Sequence, residues 1–432
     1  MSAPGPAVRR AAAPERSAGP GVRRWRVRQR WAGQRLLLRW LRLPAAARVL
    51  VVYALARLFS AFVLAEVARF QEPSAWTPQD PGYADLLVLW DATWYRSIAL
   101  DGYPDAVPLG ADGDPVQSEL AFYPLAPLLA RLLVATGLPF AWAGSLVSLV
   151  AGAAAAVGVR ALLHWALAAR CTAGAARRGA WSAAVLLCVS PPSVVLQVPY
   201  TEGPALALLV AFLLLLQRQR YLPAGAVALA LGLTRPVAVP LSAVVVVHLL
   251  LRARAGRRRG AVLSGREALR ALVLLGCSGA AGLLWPAAAW LLTGRADAYT
   301  ATMGAWRSGG EVVWLRPWWD VSQHVLGAVA GPALLVVAVV AYVAWLLGRR
   351  TAVLGADLRA WCLAYVGYLL LVLDPFTSLF RYLVLLFPLG ALVGLHPRRR
   401  GALGALVLAS LALQVVWTAW LWRFSPPADW PP

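Results

Sequence analysis

Between Ala47 and Trp422 the chain is a succession of long apolar runs separated by short polar or proline-containing breaks. About 20 apolar residues are needed to cross a bilayer core as a helix. Runs near that length sit at 47–70, 139–166, 179–197, 203–217, 221–234, 236–252, 269–293, 321–348, 358–374, 379–395 and 401–422. This pattern predicts an all-α polytopic membrane protein with about eleven transmembrane helices. One apolar stretch, 122–136, is short and interrupted by Pro124 and Pro127. It is expected to lie at the outer surface as a juxtamembrane or re-entrant helix, since irregular backbone is tolerated there only when buried against protein. Two long polar stretches, 71–120 and 294–320, are expected as outer loops, the first carrying interfacial helices, with short turns at 198–202, 234–236 and 375–378.

Composition agrees with this reading. The 432 residues are 60% hydrophobic and 14% charged, with a mean hydropathy of +0.65, which excludes a water-soluble enzyme. The net charge of +22 comes from 41 basic and 19 acidic residues, and every basic residue is arginine. In a soluble protein this would suggest nucleic acid. Here the arginines cluster between apolar runs, at 23–42, 170–178, 218–220, 252–259, 349–350 and 398–400, which is the positive-inside pattern and not nucleic-acid binding.

Holding the arginine blocks inside gives a topology. Residues 1–43 read as a disordered basic cytoplasmic tail that ends in RRWRVRQRWAGQRLLLRWLR, its arginines near anionic head groups and its tryptophans in the interface. The tail lacks the features of a cleaved secretory signal, so the first span doubles as an uncleaved signal anchor. The transmembrane domain is expected over 44–424, with 425–432 as an outer tail, in a cell inner (plasma) membrane. The four cysteines, Cys171, Cys188, Cys277 and Cys362, show neither disulfide nor CxxC spacing. His164, His248, His324 and His396 are scattered, so no metal pattern is legible, and divalent-metal dependence is left open.

Candidate chemistry concentrates on the outer side. In the segment LWDATWYRSIALDGYP, helical spacing puts Asp91, Tyr95 and Ile98 on one face and Trp90 and Trp94 on another. A helix of this kind in the interface would hold its aromatics among head groups and present a carboxylate above them; solvation or helix capping explains the same Asp91 without function. Pro199-Tyr200-Thr201-Glu202 places a second carboxylate at a helix start, where the macrodipole favours it. Arg235, in Leu233-Thr234-Arg235-Pro236, and Arg381, in Phe380-Arg381-Tyr382, break the positive-inside pattern and are expected to have a partner or ligand. Guanidinium suits phosphate through its bidentate fork, and a carboxylate can take a proton from an attacking hydroxyl. Together these groups fit glycosyl transfer from a lipid phosphate carrier.

The order WDATWYRSIALDGY, AFYPLAPLLARLL, VPYTEG, LALGLTRPVAVPL and FRYLVLLFPL resembles the GPI mannosyltransferase 2 (PIG-V-like) family of integral membrane glycosyltransferases, including its bacterial members. The resemblance runs from about Ala47 to Leu395. It implies a GT-C-like fold whose large first outer loop, 71–120, is catalytic, and a polyprenyl- or dolichyl-phosphate mannose donor. Carried over by residue, Asp91 is the catalytic base, and Trp90, Trp94 and Tyr95 shape the substrate site. Arg235, Arg381 with Tyr382, and Glu202 are the further substrate-binding candidates at matching positions. Direct attack on the donor implies inversion. The acceptor, a lipid, glycan or protein, is left open, and membrane lipids are the other expected partners. The chain departs from the family pattern at Ala126, where an aromatic is usual, and at Gly203 and Pro204, where small polar and bulky apolar residues commonly follow the Glu; these bear on acceptor shape and on Glu202. The Ala/Arg/Gly/Pro usage without lysine fits a GC-rich bacterial source. A transporter or lipid flippase, and a non-catalytic GT-C-like subunit, are the alternatives. In the second outer loop, Trp306, Arg307, Glu311, Trp314, Arg316, Trp318, Trp319 and Asp320 read as an aromatic belt or, more sharply, as a lid over the sugar.

Overall fold

A backbone crossing lipid must satisfy its own N–H and C=O groups, and helices do this within one segment. The computed structural model describes residues 38–40, 42–74, 76–258, 264–307, 313–395, 400–424 and 431–432, and among them there are helices and no strand. The basic tail, Glu311 and most of the outer C-terminal tail lie outside the described residues. The chain divides into two units, Met1–Arg48 and Val49–Pro432. The described part of the first is largely helical; everything below concerns the second.

The helices are α1 (Ala45–Arg69), α2 (Tyr83–Leu87), α3 (Asp91–Leu100), α4 (Leu125–Val134), α5 (Phe140–Ala168), α6 (Ala173–Val189), α7 (Glu202–Gln217), α8 (Tyr221–Gly232) and α9 (Val239–Arg258). They continue with α10 (Gly265–Ala281), α11 (Leu284–Thr293), α12 (Ala298–Gly304), α13 (Arg316–Leu326), α14 (Ala330–Leu347), α15 (Ala356–Val372), α16 (Leu379–Tyr382), α17 (Ala391–Leu395) and α18 (Arg400–Leu421). The predicted interfacial helices of loop 71–120 are α2 and α3, and the predicted short surface helix is α4.

Among the described residues five helices are long and apolar enough to cross a membrane: α1, α5, Pro236–Arg258, α14 and Gly401–Leu421. The pair α10 and α11, bent by 51°, makes a sixth if counted as one span. The remaining runs of the expected eleven are shorter, with 17 residues in α6, 16 in α7, 12 in α8 and 17 in α15. The run 379–395 is divided into α16, a 3-10 stretch Leu383–Gly390 containing Pro388, and α17. The breaks fall where Pro191-Pro192, Pro236 and Pro388 remove backbone donors that a continuing helix needs.

The bundle has two distinct ends. Phe140, which starts α5, packs with Tyr95 and Ile98 of the loop 71–120. About 43 Å of helix later, beyond the other end of α5, Arg170 lies against Gly355 at the start of α15. Arg178 donates to the Gly394 carbonyl at that same end. The 218–220 turn closes α7 and opens α8, whereas Glu202 and Arg235 flank their opposite ends.

Membrane helices gain little from hydrophobic burial against each other, so close backbone approach through small residues carries much of their packing. Such a contact joins α6 to the broken run 379–395. The Ser182 hydroxyl donates to the Gly390 carbonyl at 3.0 Å and accepts from the Gly394 amide at 3.1 Å. A Cβ on Gly394 would stand 2.3 Å from the Arg178 carbonyl oxygen, which backbone cannot yield cheaply. Gly394→Leu is therefore expected to destabilise the protein by about 1–3 kcal/mol through overpacking. Thermal unfolding of the detergent-solubilised variant checks this, and an unchanged midpoint would show that the two segments can separate freely.

Candidate functional site

Four charged side chains converge at the end of the bundle away from the arginine blocks. Arg381 Nη1 donates to Asp91 Oδ2 at 2.5 Å, and its Nε lies 3.6 Å from Glu202 Oε1. Arg235 Nη1 lies 2.5 Å from the same Glu202 oxygen and donates to Thr201 Oγ1 at 3.3 Å. Thr201 in turn shares a hydrogen bond with the Tyr95 hydroxyl at 3.2 Å. Tyr382 lies between the two guanidiniums, with ring centroid 4.7 Å from Arg235 Cζ and 5.1 Å from Arg381 Cζ, and Tyr200 flanks Arg381 at 5.2 Å. Cations over aromatic faces are favoured most when desolvated. The Glu202 side chain is 0% exposed, those of Arg381 and Arg235 6% and 10%, and that of Asp91 21%.

Local structure explains each position. Asp91 is the first residue of α3 and Glu202 the first of α7, so two helix N-termini point their positive ends at the cluster. Trp90, just before Asp91, adopts φ +60°, a conformation costly for a bulky residue and found where surroundings impose it. Its indole donates to the Leu421 carbonyl at 3.0 Å and its ring meets Phe424, so the end of α18 sets where α3 begins. Tyr95, Ile98 and Ala99 bury against Ala130, Phe140 and Ala143, which fixes the rest of α3. Burial, with the Asp91 charge adding to it, pushes the Tyr95 phenol well above its usual range, so Tyr95 acts as a neutral hydrogen-bonding group.

Glu202 is placed by the turn between α6 and α7. Arg57, buried inside α1, donates to the carbonyls of Cys188 and Ser193 and to the Ser193 hydroxyl. Gln414 of α18 donates to Ser193 and Ser60, and the Tyr53 hydroxyl donates to the carbonyls of Leu149 and Leu196. These contacts hold the 3-10 segment Pro191–Leu196, which delivers Pro199–Glu202 to the cluster. Gly203 is required there: a Cβ would meet the Ser148 carbonyl of α5 at 2.8 Å. The departure from the family pattern at this position thus follows from helix approach, and Glu202 still faces both arginines.

The structure brings together Asp91, Tyr95, Glu202, Arg235, Arg381 and Tyr382 of the predicted site residues. Trp90 and Trp94 serve other contacts. Trp94 stacks on Phe122 with centroids 5.7 Å apart, and Trp306 of the loop 294–320 meets Trp94 edge-on at 5.4 Å. Arg307 beside it donates to the Val372 carbonyl at 2.6 Å and lies 3.7 Å from Asp374. Trp318 donates to the Leu369 carbonyl, while Trp314 and Trp319 are exposed. His248 pairs with Asp357 in the bundle, far in sequence from these groups. Sequence reasoning gave no role to Arg57, Thr201 or Phe122. Of these, Arg57 carried a legible signal, a single charge in the middle of the first apolar run.

No family model and no curated protein matches the chain. Among solved structures it is similar to the crystal structure of the Archaeoglobus fulgidus oligosaccharyltransferase complexed with Zn and sulfate. The identity is 15% and the TM-score 0.44, over 88% of this chain and 54% of that one. The chain thus spans about half the length of the solved chain it matches.

Removing one partner of a buried ion pair costs about 3–5 kcal/mol because the other charge is left uncompensated. Glu202→Leu is expected to show a loss of that size and Glu202→Leu with Arg235→Leu a clearly smaller one. Unfolding of the single and double variants in detergent checks this, and additive losses would mean that the pair is not coupled.

Proposed function

We propose that the chain is a membrane glycosyltransferase of the GT-C type. In this reading it moves a sugar, mannose by the motif resemblance, from a polyprenyl-phosphate donor to an acceptor at the outer face. The observation that carries the proposal is the clustering of a partly exposed carboxylate, Asp91, with two buried guanidiniums, Arg235 and Arg381, at the end of the bundle remote from the arginine blocks.

The chemistry follows from these groups. Asp91 takes the proton of the acceptor hydroxyl as that oxygen bonds to the anomeric carbon from the face opposite the leaving group. The bond from that carbon to the phosphate oxygen breaks, and its electron pair leaves with the phosphate, whose added charge Arg381 and Arg235 meet. The product has the inverted anomeric configuration. Glu202 holds Arg235 in place and keeps the pair of guanidiniums from repelling each other.

Helix lengths support a site just inside the membrane. From the 218–220 turn, α7 rises about 24 Å to Glu202 and α8 about 18 Å towards Arg235, both less than a hydrocarbon core of roughly 30 Å. With that turn at the inner surface, the arginines lie below the outer head groups, where a lipid phosphate can reach them and water is scarce. A cavity of about 130 Å³ lies between Leu383, Val384 and Phe387, in the segment that follows Arg381, and Ala183, Leu187 and Ser190 of the neighbouring run. Trp94, Phe122 and Trp306 offer stacked and edge-on faces of the kind that suit a sugar ring.

Membranes containing the protein, given radiolabelled polyprenyl-phosphate mannose and host lipid or protein acceptors, are expected to transfer label. Asp91→Asn should lower that transfer by at least ~100-fold, the scale of a lost general base. Transfer untouched by the substitution would move the base elsewhere, and no transfer from any carrier would favour the transporter or a non-catalytic subunit.

A further inference from the structure

Asp91, the group assigned to take a proton, is already engaged. Its Oδ2 receives a hydrogen bond from Arg381 at 2.5 Å, so one oxygen of the base is tied to a guanidinium. The same guanidinium is the one best placed for a phosphate. The closed contact thus takes one oxygen of the base and one arm of the guanidinium that would meet the phosphate.

The surroundings decide which partner moves. Arg381 is held from several directions: rings of Tyr200 and Tyr382 lie against it, its Nη2 donates to the Tyr382 hydroxyl at 3.3 Å, and its Nε faces Glu202. Glu202 is fully buried and tied to Arg235, so it stays. Asp91 is the most exposed of the four and sits at the start of a loop helix, where a released carboxylate can be solvated at low cost. An anion approaching from the exposed side would meet the Asp91–Arg381 contact first.

Charge points the same way. Asp91 and Glu202 balance Arg235 and Arg381, and the N-termini of α3 and α7 add positive potential on top. A phosphate on Arg381 keeps that arginine closely paired, whereas an empty site without Asp91 would leave a buried guanidinium with only Glu202, at 3.6 Å and shared with Arg235. In addition, Arg381 Nε donates no hydrogen bond, so a donor on the guanidinium is left over for an anion.

We propose that Asp91 occupies Arg381 in place of a lipid phosphate, and that arrival of the phosphate exchanges the partners and frees Asp91 to act as the base. This rests on the donor reading above. The base is then available only when the donor is bound, which keeps water and acceptor from being activated early. During transfer Asp91 takes the acceptor proton and the phosphate gains the electron pair of the broken bond, so Arg381 holds the product carrier more strongly while Asp91 is neutral. Loss of that proton to solvent restores the carboxylate, which reclaims Arg381 and displaces the spent carrier. The pair thereby sets an order, donor before acceptor and proton release before carrier release.

The test uses the wild-type protein in detergent and the accessibility of Asp91. A hydrophobic carbodiimide with an amine trap labels free carboxyl groups, and peptide mass spectrometry quantifies the Asp91 adduct, with Asp91→Asn as the blank. The probes are farnesyl phosphate, farnesol and inorganic phosphate at equal concentrations, and native mass spectrometry reports farnesyl phosphate binding. Saturating farnesyl phosphate is expected to raise Asp91 labelling at least ~10-fold, because the open form of a closed pair is at most about a tenth of the population. Farnesol and inorganic phosphate should leave it unchanged. Farnesyl phosphate that binds while Asp91 labelling stays level or falls would overturn the exchange and leave the donor reading standing. Failure of farnesyl phosphate to bind at all would overturn both. An equal rise with inorganic phosphate would assign the anion to free phosphate and overturn the lipid part of the proposal.

Discussion

Everything at the candidate site depends on keeping charges paired where water is scarce. Arg381 sits between two carboxylates, and Arg235 shares one of them. Remove any member and a neighbour is left with a desolvated charge, which is the expensive condition in a low-dielectric setting. The aromatic rings of Tyr200 and Tyr382 relieve part of that cost by facing the guanidiniums. An arrangement so balanced is also responsive, because an added anion must redistribute the existing partners.

The scaffold is built to bring distant segments to that point. Asp91 follows a strained Trp90 that is pinned by the end of α18, and Glu202 follows a 3-10 turn clasped by Arg57, Tyr53 and Gln414. Arg235 lies at the break between α8 and α9, and Arg381 in the four-residue α16. Those breaks forfeit helix hydrogen bonds, and side chains such as Arg57 and Ser182 supply replacements from neighbouring elements. Short helices and irregular backbone inside a bundle are tolerable only when protein, and not lipid, surrounds them. The cost of irregularity is accepted where it places charged groups.

The loop 294–320 joins the same region from a different part of the chain. Trp306 reaches Trp94 and Phe122, and Arg307 and Trp318 bond to carbonyls near the end of α15. Its tryptophans therefore divide between packing inward, as Trp306 does, and remaining exposed, as Trp314 and Trp319 do.

Helical class, the short helices of the first loop, the short α4 and the clustering of the arginines between apolar runs were all legible in the chain, because hydropathy, proline and charge act over a few neighbouring residues. Asp91, Glu202, Arg235 and Arg381 could be picked out one at a time for the same reason: each is a charge where the local pattern calls for none. That they meet could not be read, since they are separated by more than a hundred residues in most pairings and nothing local encodes a contact. The tertiary structure alone decided that Arg381 holds Asp91, that Trp90 serves position and not the cluster, and that several expected spans end short. Those outcomes depend on which helices approach closely enough to share charges and carbonyls, a property of packing between segments and not of any one of them.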